Sequence, residues 1–139
     1  MLSPVTDPDG APFWEYAARG ELRVQVCAGC AEPRFPPRPC CPHCRSFDSD
    51  WRPVSGHGRV WSYVVAHPPL LPDYAAQAPY NVVVVELEDF PRSAGIRLVG
   101  NLVAAPGAPL NSLAPDDIRI GARVRVVFCD GGLVQWVLA

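Results

Sequence analysis

At 139 residues the chain can bury one moderate core or two small ones, since single cores serve about 100 to 200 residues; this argues against a large stand-alone enzyme. Hydrophobic residues make up 49% and charged residues 19%, a balance that favours folding over disorder. The formal charge is -2, and all twelve basic residues are arginine. Without lysine the chain cannot form the Schiff base of an amine-dependent aldolase or transaminase, and the mildly acidic balance disfavours a general nucleic-acid binder.

Residues 1–10 carry Asp-Pro and Pro-Asp pairs and a glycine, the composition of a loose tail. They lack a basic start and an apolar run, so no secretory leader is expected. No apolar run is long enough to span a bilayer, which makes the cytoplasm the default. Residues 11–20, APFWEYAARG, place Phe13, Trp14 and Ala17 on neighbouring helical positions and predict one short amphipathic helix. The aromatic pair Phe13 and Trp14 offers either a cover for the following segment or a partner contact.

In ELRVQVC, Leu22, Val24 and Val26 alternate with polar residues, the period of a half-buried strand. It leads into C-x2-C-x10-C-x2-C, formed by Cys27, Cys30, Cys41 and Cys44. Two-residue spacers let each pair present its sulfurs to one ion, and four thiolates match tetrahedral zinc. A rubredoxin-type iron centre uses the same ligands, and a disulfide-linked ribbon would require an oxidising compartment. Cys40 is an alternative ligand beside Cys41, although Pro42 favours Cys41 with Cys44, and His43 sits inside the second knuckle. Between the pairs, AEPRFPPRPC holds four prolines in ten residues and cannot be helical. Its Arg34 and Arg38 offer guanidinium groups to the phosphates of a coenzyme A-like ligand. Trp51 and Val54 are candidate packing residues before a boundary near Gly56.

Five strands are predicted after that boundary: GRVWSYVVAH, YNVVVVELE, IRLVGNLVA, ARVRVVFC and LVQWVLA. All are rich in valine or aromatic residues and separated by turn residues. Five short strands suggest a small closed barrel, and PGAPLNSLAPDDIRIG leaves room for a turn of helix between the third and fourth, as in an OB-fold. HPPLLPDYAAQAPY, between the first two strands, reads as a proline-stiffened apolar loop. Its Leu70, Leu71, Tyr74 and Tyr80 either cap the barrel or dock a partner. His57 and His67 flank the first strand, but no nucleophile motif accompanies them and no carboxylate is placed to orient them. Cys129 reads as a small buried hydrophobe.

The ordered series PFWEYAARGELRVQVCAGC, FPPRPCCPHC, GRVWSYVV, APYNVVVVELE, RLVGNLV and IGARVRVVF, spanning residues 12–138, resembles an acyl-CoA-associated family. That family joins an N-terminal rubredoxin-like zinc ribbon to a C-terminal OB-fold, and the likeness runs to the C-terminal portion of actinobacterial steroid side-chain enoyl-CoA hydratase subunits. The resemblance implies a tail at 1–10, a helix and zinc ribbon at 11–55 and an OB-fold at 56–139. It puts structural Zn2+ on Cys27, Cys30, Cys41 and Cys44. It further implies a non-catalytic accessory subunit in a hetro-oligomer with a thiolase-fold protein, an aldolase or acyltransferase, that meets acyl-CoA through the complex. The implied reaction is retro-aldol cleavage of a 17-hydroxy steroid bearing a propionyl-CoA side chain, giving a 17-keto steroid and propionyl-CoA. A single-strand nucleic-acid module is the alternative use of an OB-fold. The extra thiol of Cys40 departs from the family pattern, and the turn RSAGIR is slightly long.

Overall fold

The structure, a computed structural model, describes residues 3–68, 71–129 and 131–139. Helix α1 spans Ala11–Ala18, with proline in its first turn, where a missing amide hydrogen costs nothing. Asp7 prepares the start: its carboxylate accepts from the Gly10 amide at 2.6 Å and its carbonyl from Ala11 at 2.9 Å. Phe13 and Ala17, one turn apart, are the buried face, and Gly20 leaves the helix at φ 78, a conformation that favours glycine. Strand β1 (Arg23–Cys27) then lies at the centre of a small sheet, between β2 (Pro33–Arg34) and β3 (Ser49–Pro53). The sequence pattern did not mark β3, because SDWRP alternates weakly and only its pairing with all five residues of β1 makes it a strand.

The remaining strands are β4 (His57–Ala66), β5 (Tyr80–Leu87), β6 (Arg97–Leu102), β7 (Arg123–Cys129) and β8 (Leu133–Leu138). They close in the order β4-β5-β6-β8-β7, with β4 pairing back onto β7 and β6 running parallel to β8. Three antiparallel strands followed by a parallel closure is the OB-fold barrel expected from the five runs. The helical turn expected between the third and fourth barrel strands is a 3-10 turn at Pro115–Asp117. Within β5 the uninterrupted valine run resolves into alternation: Asn81, Val83, Val85 and Leu87 point inward and are buried, whereas Val82, Val84 and Glu86 point outward. The long turn after β5 holds a 3-10 segment at Arg92–Ala94 and Gly95 in the left-handed region, and the hairpin keeps Glu86 opposite Arg97.

Within the apolar loop after β4, Pro72–Ala75 forms a single helical turn, α2. Pro72 presets φ at its start, and Asp73 places a carboxylate near the free amides.

Residues of the small sheet and the barrel share one core, in which Phe13, Ala17, Leu22 and Val24 pack with Val60, Val85, Leu98, Val134 and Trp136. The closest approach lies at Gly132 in the β7–β8 turn. Its φ is 98, and a side-chain carbon there would stand 2.7 Å from the Ala17 carbonyl carbon of α1. Gly132→Val is therefore expected to destabilise the chain by about 1–3 kcal/mol, through positive-φ strain and separation of α1 from the barrel. Thermal unfolding of the variant against the parent measures it.

Candidate functional site

The Cys27, Cys30, Cys41 and Cys44 sulfurs all lie within 4.8 Å of one another, with Cys27 to Cys44 at 3.5 Å and Cys30 to Cys41 at 3.6 Å. Zinc–sulfur bonds of about 2.3 Å in a tetrahedron put sulfurs about 3.8 Å apart, so the four fit one zinc ion.

Two similar knuckles build this cage. In the first, the Ala31 amide donates to the Cys27 carbonyl at 2.9 Å and the Cys27 amide to Glu32 at 2.9 Å; in the second, Arg45 donates to Cys41 at 3.0 Å and Cys41 to Ser46 at 2.9 Å. Each knuckle ends on a non-glycine residue at positive φ, Ala31 at 66 and Arg45 at 65. Such conformations carry strain that only an over-determined surrounding structure maintains. The sequence sign of this equivalence is the position directly after each second cysteine.

The sulfurs are electrostatically paired. The Cys30 amide, seconded by that of Gly29, pulls the Cys27 thiol down to about 6. The Cys44 amide, with that of His43, likewise lowers Cys41. At Cys30 the Glu32 amide pulls downward, but desolvation and the neighbouring sulfurs override it and push the thiol up to about 12. Cys44 is also raised: its Ser46 amide is outweighed by the Cys27 sulfur and desolvation. Four clustered sulfurs resist joint deprotonation, and a divalent cation at their centre removes that resistance.

Cys40 stays outside the cage, its thiol directed to the Cys41 carbonyl at 3.7 Å. His43 also stays outside, with Nε2 3.9 Å from Glu32 Oε2. Ser55 Oγ donates to Asp89 at 2.7 Å, whereas His57 Nδ1 is buried with no hydrogen-bond partner among the described residues.

Arg34 and Arg38 are close, but in an unexpected relation. Arg34 is 5% exposed, and its Nε and Nη2 donate to the Arg38 carbonyl at 3.2 and 2.9 Å. The buried Gln25 accepts from the Arg38 amide at 2.8 Å. Arg34 is thus turned onto the main chain, and with Gln25 it fixes the proline-rich loop that delivers Cys41. Sequence reasoning missed Gln25; the pairing of Gln25 with Arg34 across β1 and β2 makes it a support for the second knuckle. Arg34→Ala is expected to cost about 1.5–3 kcal/mol, as the loss of hydrogen bonds from a charged group does, and to release zinc faster. Denaturant unfolding and a zinc-release assay with a colorimetric chelator check both effects.

Of the apolar residues singled out in the sequence, Phe13 is buried, with its ring edge-on to Trp14 at 5.1 Å and tilted by 59° to Phe35 at 5.5 Å. Trp14 and Tyr74 are half-buried and meet across a groove of about 350 Å³ that Phe35 also lines. Leu71 is exposed, and Leu70 lies outside the described residues. Among the described residues no helix is long and apolar enough to cross a membrane.

The geometry agrees with comparisons to known proteins. Residues 14–50 match the family described as the ChsH2 rubredoxin-like zinc ribbon domain, and residues 51–129 match the ChsH2 C-terminal OB-fold domain. The chain is 45% identical over 121 residues to a probable enoyl-CoA hydratase alpha subunit of Thermomonospora curvata, covering 87% of this chain and 33% of that protein. It is 32% identical over 130 residues to the 3-oxo-4,17-pregnadiene-20-carboxyl-CoA hydratase alpha subunit of Mycobacterium tuberculosis, covering 94% of this chain and 37% of that one. The chain thus spans about a third of the length of these hydratase subunits. A DUF35 domain-containing scaffold protein of Methanocaldococcus jannaschii is 35% identical over 83% of this chain and 73% of its own length. Among solved structures, a chain of the Ltp2-ChsH2(DUF35) aldolase superposes with a TM-score of 0.81 at 38% identity, covering 98% of both chains.

Proposed function

This chain belongs to the ChsH2 zinc-ribbon and OB-fold family, and from that membership we propose that it is the accessory subunit of an Ltp2-type, thiolase-fold aldolase. The observation that carries the reading is the match of 98% of this chain to 98% of a chain of the Ltp2-ChsH2(DUF35) aldolase. The name of the Mycobacterium tuberculosis relative directs the substrate to a steroid side-chain acyl-CoA. Retro-aldol cleavage breaks one carbon–carbon bond of a 17-hydroxy steroid propionyl-CoA thioester. The hydroxyl proton leaves as the 17-keto group forms, and a proton delivered to the departing carbon completes propionyl-CoA.

This chain has no lysine for an amine-based route, and its cysteine cluster is occupied with holding the fold. The base and the groups that stabilise the enolate therefore come from the partner, and the role of this chain is to hold that partner in a competent form. Arg38 stands exposed where it can meet a coenzyme A phosphate in the complex, while Arg34 positions the Arg38 main chain. Trp14, Leu71 and Tyr74 are available for further contact near the groove. A zinc site of four thiolates, Cys27, Cys30, Cys41 and Cys44, fits a reducing compartment such as the cytoplasm.

Co-expression with an Ltp2-type aldolase subunit tests the reading. A stable hetero-oligomer should co-elute, and the aldolase subunit should lose solubility when expressed alone. Independent elution with equal solubility would overturn it.

A further inference from the structure

Four of the eight large apolar side chains that stand exposed among the described residues, Trp61, Val64, Val99 and Ile120, gather on or beside the outer surface of β4, β5 and β6. Strand register makes the surface continuous. Val64 lies opposite Val82, Ser62 opposite Val84, and Val84 opposite Val99, so valines occupy adjacent outward positions over three strands. Trp61 joins them because an irregularity between Val60 and Ser62 breaks the alternation and turns its ring outward. Val64 and Val99 are each 63% exposed, a concentration of apolar surface that water disfavours.

Beside the valines runs a row of charge, with Arg59 opposite Glu86 and Glu86 opposite Arg97. Glu86 is only 13% exposed at its side chain and accepts from both Arg92 and Arg97 at 3.1 and 3.2 Å. Glu88 is likewise engaged by Arg123 at 3.0 Å. Four arginines against two engaged carboxylates leave the row at a formal +2, in a chain whose overall charge is -2. Between the row and Trp61 opens a concavity of about 440 Å³, walled by Trp61, Phe90, Ile120, Arg59 and Arg92.

We propose that this outer face of β4, β5 and β6 is where the aldolase subunit docks, an apolar patch of the partner covering the valines and an acidic rim meeting the arginine row. The inference rests on the accessory-subunit reading above. Charge selects the occupant. A second copy of this chain would set arginine row against valines or against arginines, with no free carboxylate on the face to answer it. Single-stranded nucleic acid needs aromatic faces to stack on, and one face of the partly exposed Trp61 ring is already taken by the Arg97 guanidinium at 4.1 Å. An exposed tryptophan and arginines around a concavity are the residue types that anchor protein interfaces.

The test uses the full chain carrying Val64→Glu and Val99→Glu together, both outward positions whose change leaves the core intact. Phe47→Glu, at an exposed apolar site in the ribbon region, is the control. Affinity for the Ltp2-type subunit should fall at least tenfold in the double variant and remain unchanged in the control, with zinc content and melting of the isolated chain preserved. Arg59→Glu should weaken the complex and reduce its salt dependence. A wild-type complex that the double variant forms equally well overturns the inference and leaves the accessory role standing; a wild-type chain that forms no complex overturns both. Self-association abolished by the double variant, or oligonucleotide binding abolished by Arg59→Glu, would overturn it in favour of a second copy or of nucleic acid.

Discussion

Removing the zinc ion, by a chelator or by Cys41→Ser, is expected to unfold the ribbon and to carry much of the barrel's stability with it. Structural zinc binding is worth about 10–16 kcal/mol in small cysteine sites, comparable to the whole stability of a domain, about 5–15 kcal/mol. Nothing else in the ribbon replaces it: β2 is two residues long, and Ala31 and Arg45 hold strained positive-φ conformations. The loss does not stop at the ribbon, because α1 and β1 contribute Phe13, Ala17, Leu22 and Val24 to the core that also contains Val60 and Trp136. Circular dichroism and thermal melting should both change on chelation and recover when zinc is restored. Cys40→Ser should leave zinc content unchanged, since that thiol stands outside the cage. An unaltered melt after complete zinc removal would contradict this view of the ribbon.

Trp136→Ala is expected to destabilise the barrel by about 3–5 kcal/mol, the cost of a cavity left by a large core side chain. Trp136 is fully buried and lies on β8 opposite Leu102 of β6 and Val126 of β7, so it fills the interior where the parallel closure occurs. Gly100 is shaped to it, since a side-chain carbon there would come within 2.9 Å of the indole nitrogen. That nitrogen has no hydrogen-bond partner among the described residues, and an orphaned buried donor costs about 1–3 kcal/mol. Trp136→Phe gives up some volume but removes the orphan, and should cost much less than Trp136→Ala. Denaturant unfolding of the two variants checks this, and a loss in Trp136→Phe equal to that in Trp136→Ala would contradict the cavity account.

The elements most legible in the sequence were those whose physics is local. Cysteine spacing determines how two knuckles meet a single ion, and valine-rich runs between turn residues become strands wherever they find partners. What remained hidden depends on distant pairing. Strand β3 exists through its register with β1. Arg34, in a proline-rich segment, reads as a solvent-facing cation until pairing with Gln25 turns it onto the Arg38 carbonyl. In β5, four consecutive valines give no sign of which face is buried; only the closed barrel sends Val83 and Val85 inward and leaves Val82 and Val84 on the outside. Phe13 and Tyr74 were recognisable as unusual aromatic residues, but not the groove they share with Trp14 and Phe35, which forms between segments far apart in the chain.

The proposed accessory role has this chain supporting catalysis by a partner rather than performing it alone. Propionyl-CoA release from the 17-hydroxy steroid thioester should be followed with this zinc-loaded chain, with the Ltp2-type subunit, and with both together. An accessory role gives no release by this chain, slow or absent release by the aldolase subunit, and sustained release by the pair, lost again when zinc is withdrawn before assembly. Equal rates with and without this chain, or turnover by this chain alone, would contradict it.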